Sequence, residues 1–333
     1  MATENCDVLV TGADGFIGSH LTEALVRLGY RVRAMVLYNS FDRRGWLDRL
    51  PEKTLEAVEV FPADIRDAHY MNAAVNGVRI VFHLASLIAV PYSYHSPDSY
   101  LETNVRGTLN LLQAARQAGI EKFVHTSTSE VYGSAQYVPI DENHPLVGQS
   151  PYAASKIAAD QMALAFHLSF DLPVTIVRPF NTYGPRQSAR AIIPTIITQV
   201  ASGRNPIKLG SLIPRRDFTH VDDTVAGLIA AAEHKERVVG ETINIGAGKD
   251  ISIGELVKLI GTVAGKSISV EEEAQRVRPE RSEVVRLQCE NHKARELLDW
   301  EPQVELADGL EKTLAWFSDK NNLSLYQSDR YVL

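Results

Sequence analysis

The 333-residue sequence predicts an α/β protein: a doubly wound parallel sheet with a smaller C-terminal lobe. Three observations predict it. A short apolar run at residues 6–11 leads straight into Gly12-Ala-Asp-Gly15-Phe-Ile-Gly18 and then a helical pattern over residues 19–28. Strand-like runs then alternate with helical patterns as far as residue 178. Beyond Pro179 the punctuation changes, with Pro185, Pro194, Pro206 and Pro214 cutting the chain into shorter pieces.

Taken in order, the first strand and helix enclose a phosphate cradle. Glycine lets the backbone turn tightly and approach a diphosphate, while free N–H groups at the helix start, with the helix dipole, hold negative charge. The spacing is G-x-x-G-x-x-G rather than the commoner G-x-G-x-x-G. Further strands are expected at residues 31–37, 56–61, 79–84, 122–126 and 174–178. Alternation of this kind requires right-handed crossovers and a parallel sheet covered on both faces. Residues 217–221 and 242–245 again read as strands. The expected division is therefore 1–180 for dinucleotide binding, with elements returning near 217–248, and 181–333 mostly for the substrate lobe. The tail beyond Asp319 carries Leu323, Leu325, Tyr326, Tyr331 and Leu333, which leaves it open to packing on the body, docking on a partner, or fraying.

Composition narrows the function classes. A net charge of −7 argues against nucleic acid or an anionic membrane as the main partner, so an anionic substrate must be held by local arginines. Cys6 and Cys289 are too few for a disulfide framework, and the start Met-Ala-Thr-Glu-Asn lacks the basic and apolar regions of a signal peptide. The apolar stretch at residues 80–90 contains His83 and Ser86 and is too short to span a bilayer. The expected location is cytoplasmic. The ten histidines form neither H-E-x-x-H nor a C-x-x-C site, so no metal is expected. His83 and His125, inside apolar strands, read as satisfied core histidines, and Asn104 as an amide that pins backbone groups between strands.

The chemistry lies in Tyr152-Ala-Ala-Ser-Lys156 and in Thr128-Ser129-Glu130 at an expected strand end. Four residues apart on a helix, Tyr152 and Lys156 share one face, so the ammonium can lie near the phenol. A free phenol titrates near about pH 10, and an adjacent positive charge favours the phenolate. That combination makes Tyr152 a candidate general base. Glu130 adds a carboxylate able to remove a further proton.

With these residues in hand, T-G-x-x-G-x-x-G, S/T-x-E-V-Y-G, Y-x-x-x-K and R-P-F-N-x-Y-G-P-R at residues 178–186 together resemble the extended short-chain dehydrogenase/reductase family, the NAD-dependent epimerases and dehydratases, over nearly the whole chain. The stretches 93–97 and 184–194 are similar to the nucleotide-sugar 4,6-dehydratases of legionaminic-acid biosynthesis, which act on GDP-N-acetylglucosamine. The resemblance implies a Rossmann sheet and a homodimer through helices around 99–118 and 152–169. It implies a lyase that removes water from a nucleotide sugar, with Thr128 on the 4-hydroxyl, Glu130 on the C5 proton, Tyr152 as base and Lys156 as its activator. Gly12, Gly15, Phe16, Ile17, Gly18, Asp64, Ile65, Leu84 and Ala85, with Tyr152 and Lys156, are implied to hold the cofactor. Ser86, Ser93, Tyr94, Asn181, Arg186, Arg216 and Arg278 are implied to hold the substrate.

Two departures bear on this. The second expected strand ends Leu37-Tyr38-Asn39, without the acid that many relatives direct at the ribose 2′-hydroxyl. NADP is thereby left open, with Arg43 or Arg44 in reach of a 2′-phosphate; NAD is the expectation because no arginine sits at the strand end itself. Ser129 stands where dTDP-glucose dehydratases carry an aspartate. The same triplet also occurs in glucuronate decarboxylases, so a decarboxylase and a 4-epimerase remain alternatives among enzymes. Outside them, a dinucleotide-sensing protein is the alternative.

Overall fold

The computed structural model describes residues 6–327. Tyr331 and Leu333 of the tail therefore lie outside the described residues. Seven parallel strands form the central sheet: β1 (Val8–Thr11), β2 (Val32–Leu37), β3 (Val58–Ala63), β4 (Ile80–His83), β5 (Lys122–Thr126), β6 (Val174–Pro179) and, after three strands of the second lobe, β10 (Thr242–Ile245). Their order is β10-β6-β5-β4-β1-β2-β3, so the chain reverses direction between β1 and β4. At that switch point the carboxyl ends of the strands open a crevice.

The period of two sorts the side chains. Val8, Val10, Phe82 and Val124 enter one core, while Leu9, Val81 and Phe123 enter the core on the opposite face. Near-continuous burial along β1 follows from helices on both faces. The third strand lies two residues later than its composition suggests, because Pro62 and Ala63 extend it to pair with Val36 and Leu37. Proline is tolerated there because β3 is an edge strand.

The second lobe contains β7 (Asn181–Tyr183), β8 (Ile207–Leu209), β9 (Arg215–His220), β11 (Asp250–Ser252) and β12 (Val270–Glu272). These form a three-stranded sheet, β11-β9-β7, and a two-stranded ladder, β12-β8, around a third core that includes Ile196, Leu256 and Phe317. Of the two strands expected to return, β10 joins the central sheet and β9 does not. The helix Val221–Glu233, directly after β9, does return: Val225 and Leu228 pack into the core of the dinucleotide half. Tyr326 stacks on Trp46, with ring centroids 6.2 Å apart, and so joins the C-terminal segment to the loop after β2. Among the described residues no helix is long and apolar enough to cross a membrane.

Candidate active site

The glycine turn is built as its spacing requires. Gly12 has φ +69°, a left-handed conformation, and a Cβ there would lie 2.9 Å from the Ala85 nitrogen. A Cβ on Gly18 would collide with the Gly12 carbonyl oxygen. The helix Phe16–Arg27 begins earlier than its apolar pattern indicates, with Gly15 at its N-cap, no side-chain cap and no acidic residue in its first turn. Its first N–H groups and dipole are thus left for an anion.

A cleft of about 990 Å³ runs from this turn to the second lobe. Gly12, Gly15, Phe16, Ile17, Gly18, Asp64, Ile65, Leu84 and Ala85 line its dinucleotide end. Asp64 is clamped by Arg66 at 2.9 Å, and the Arg66 hydrogen bonds hold its carboxyl below the usual range. Ile65 is buried, and its side chain lies where a Cβ on Gly107 would have to sit. The orphan donors and the absence of side chains at the turn fit a dinucleotide diphosphate.

Thr128, Glu130, Tyr152 and Lys156 line the middle of the same cleft. Ser150 caps the helix Pro151–Phe170 by accepting from the Ala153 N–H at 3.1 Å, and Pro151 fixes its first turn. Tyr152 and Lys156 are thereby set on one face. Thr128 caps the short turn Ser129–Tyr132, accepting the Glu130 N–H at 3.2 Å, which leaves its hydroxyl proton for another partner.

The electrostatics differ from the simple expectation of an ammonium-tuned phenol. Burial pushes the Tyr152 phenol up; a hydrogen bond with Thr128 opposes this, and the charge of Glu130 adds to it. The Lys156 ammonium donates to the Thr126 carbonyl at 2.8 Å, and burial pulls it down to about 8, against the pull of Asp160. One turn beyond Lys156, Asp160 accepts from Ser127 at 2.8 Å and lies 3.1 Å from Arg178. Burial works to raise the Asp160 carboxyl, yet His125, Arg178 and Lys156 hold it below its ordinary value.

The remaining residues divide. Ser86, Tyr94, Asn181, Arg216 and Arg278 line the cleft. Arg216 is 6% exposed and pairs with Glu283 at 3.0 Å, while Arg278 lies 3.9 Å from both Glu130 and Glu283. Asn181 holds its Oδ1 buried without a hydrogen-bond partner, as an atom awaiting a ligand would be. Tyr94 reaches across the cleft, its hydroxyl 2.6 Å from Ser282 Oγ, which itself donates to the Gln149 carbonyl. Two residues lie elsewhere. Ser93 is buried beneath the lining with its hydroxyl on the Val90 carbonyl at 2.7 Å. Arg186, with φ +69°, turns back to Glu23 at 2.9 Å and braces the glycine-turn helix.

Asn104 bonds both backbone groups of Leu87 and the Ser155 hydroxyl, at 2.8–2.9 Å. His83 is satisfied by Thr11 and Thr108, each at 2.9 Å. His125 faces Asp160 instead, its Nε2 3.2 Å from the carboxylate, with neither ring nitrogen in hydrogen-bond geometry. Arg190 and Tyr92 also line the cleft; Arg190 lies within the stretch 184–194 noted for its resemblance but was not singled out there, and Tyr92 carried no signal of its own.

One cleft thus joins a glycine turn suited to a dinucleotide to Tyr152, Lys156 and the Glu130 carboxylate, the arrangement of a dinucleotide-dependent enzyme. Residues 9–313 match the family described as GDP-mannose 4,6 dehydratase. The chain belongs to this family, within the extended short-chain dehydrogenases/reductases that include NAD-dependent epimerases and dehydratases. It is 37% identical over 317 residues to a dTDP-glucose 4,6-dehydratase of Streptomyces griseus, covering 93% of each chain. It is 34% identical to a UDP-N-acetyl-alpha-D-glucosaminuronate decarboxylase of Bacillus cytotoxicus, over 94% of this chain and 98% of that one. Among solved structures, a UDP-glucuronic acid 4-epimerase from Bacillus cereus, in complex with UDP-glucuronic acid and NAD, aligns with TM-score 0.84 and 29% identity, over 96% of this chain and 100% of that one.

Proposed function

We propose that the protein is an NAD-dependent nucleotide-sugar 4,6-dehydratase acting on an NDP-N-acetylglucosamine or related NDP-hexose. The observation that carries this reading is the position of Glu130, whose carboxylate lines the same cleft as Thr128 and Tyr152 and lies near enough to raise the phenol. An epimerase has little use for a carboxylate there. Bound at the glycine turn, oxidised NAD would supply a hydride acceptor and a positive ring beside Tyr152. Thr128 hydrogen-bonds the sugar 4-hydroxyl, and Tyr152 takes its proton as C4 becomes a ketone. The ketone acidifies C5, so Glu130 removes that proton and hands it to the C6 hydroxyl, which departs as water. The hydride taken from C4 would return to C6 and the proton Tyr152 took from the 4-hydroxyl would be relayed to C5, completing a 4-keto-6-deoxy sugar with no net redox change. Asn181, Arg216 and Arg278 would grip the diphosphate, arginine suiting phosphate through its planar fork.

A second reading is favoured by one contact. Arg278 faces Glu130 at 3.9 Å, an arrangement also suited to an NDP-glucuronate decarboxylase, in which the cation would meet the substrate carboxylate. Incubation with UDP- and GDP-N-acetylglucosamine, dTDP-glucose and UDP-glucuronate, read by mass, separates the two. Loss of water supports the dehydratase; loss of carbon dioxide or an isomer of unchanged mass overturns it. Glu130→Gln is expected to stop after C4 oxidation, with absorbance near 340 nm rising and product absent; undiminished product would remove its assigned role.

A further inference from the structure

The end of β2 carries no acid, yet a carboxylate is present beside it. It comes from the glycine turn. The Ala13 N–H donates to the Met35 carbonyl at 3.1 Å, which ties the turn to β2, and Asp14 follows immediately. Burial raises the Asp14 carboxyl, and the nearby backbone N–H groups of Asp14 and Leu37 pull against that rise. The loop after β2 closes over the other side: the Trp46 N–H donates to the Asp14 carbonyl at 3.0 Å, and a Cβ on Gly45, φ +58°, would lie 2.9 Å from the Asp14 Cβ. Asp14 and Leu37 both line the cleft, and no cation pairs with Asp14 among the described residues. The carboxylate is therefore fixed, half-buried and open to a donor.

The two arginines that could have welcomed a phosphate sit in the loop after β2. The Arg43 guanidinium lies over the Phe41 ring at 5.8 Å, and the backbone N–H of Arg44 donates to Asp48 at 3.0 Å. Asn39 organises that loop, accepting the Phe41 and Arg43 N–H groups at 3.2 Å. Neither arginine lines the cleft among the described residues.

In doubly wound folds the adenosine ribose lies at the carboxyl end of the second strand. We infer that Asp14 takes the part of the missing strand-end acid, accepting the ribose hydroxyls of NAD and repelling the 2′-phosphate of NADP. The inference rests on the dinucleotide-binding part of the proposed function, and it makes the glycine turn serve both the diphosphate and the coenzyme choice.

Equilibrium titration of the full-length protein with NADH and NADPH, followed by coenzyme fluorescence, tests it without reference to turnover. The wild type is expected to favour NADH. Asp14→Asn keeps the shape and an acceptor oxygen but removes the charge; NADH binding should weaken about tenfold, the worth of one charge-assisted hydrogen bond, while NADPH binding holds or tightens. Asp14→Ala should erase the preference likewise. An unchanged preference in both variants, or an equal weakening of both coenzymes, overturns the role of Asp14 and leaves the dehydratase reading standing. A wild type that binds neither coenzyme overturns both.

Discussion

Replacing Lys156 by methionine should make the protein more stable and nearly inactive. Lys156 is 3% exposed, and burial lowers it from 10.5 to about 8 even with Asp160 pulling the other way. At about 1.36 kcal/mol per pH unit, holding the ammonium in place at pH 7 costs on the order of 3 kcal/mol. Methionine removes that cost and forfeits the hydrogen bond to the Thr126 carbonyl, worth about 1 kcal/mol. The balance is a gain of about 2 kcal/mol, or a melting temperature higher by roughly 2–4 °C. The sign with pH follows from the depressed folded value. Between about 8 and 10.5 the unfolded chain binds more protons than the folded one, so the wild type gains stability as pH rises through that window. The gap between variant and wild type should therefore be widest below pH 8 and close towards about pH 10.5. Turnover should fall at least about a hundredfold, since the cleft that holds Tyr152 loses the ammonium anchored on the Thr126 carbonyl. Thermal melts across pH, paired with turnover, check both halves. A variant less stable at pH 7, or a gap that fails to narrow on alkalinisation, would refute the reasoning.

Two further outcomes follow from the geometry. Gly18→Ala drives a methyl into the Gly12 carbonyl oxygen, so a loss of about 1–3 kcal/mol in melting and a collapse of NADH affinity are expected; wild-type values for both would contradict the close packing described. Tyr94→Phe removes the bond to Ser282 across the cleft and should raise KM about three- to tenfold with kcat changed less than twofold, which steady-state kinetics would read; an unmoved KM would mean the clasp is idle in substrate binding.

What the sequence revealed was local in kind. Gly12, Gly15 and Gly18 sit within seven residues, and Tyr152 and Lys156 within one helical turn, so spacing alone brings them together. Thr128 and Glu130 were legible because a strand end at the crevice is where doubly wound folds place chemistry. Arg186 was not legible in the same way. Its left-handed backbone directs it to Glu23, 163 positions earlier, and no periodicity announces that. Ser93 and Tyr94 are adjacent, yet helical geometry buries one and sends the other across the cleft. The direction of the Tyr152 shift depended on burial, which outweighs a charge that pattern alone can supply. Asp14 drew notice only once the Ala13 N–H bond to the Met35 carbonyl tied the glycine turn to β2.

The interleaving of the two halves limits how this protein can be dissected. The strand β10 closes one edge of the central sheet, and Val221, Leu228, Ile243, Ile245 and Leu298 complete the core beneath β1 and β2. A fragment cut after residue 180 would expose the edge of β6 and leave that apolar face uncovered, inviting aggregation. Exchange of sugar preference between relatives by grafting must therefore proceed through single loops, such as the one between β7 and the helix Ile192–Ala201, and not by transplanting the second lobe whole.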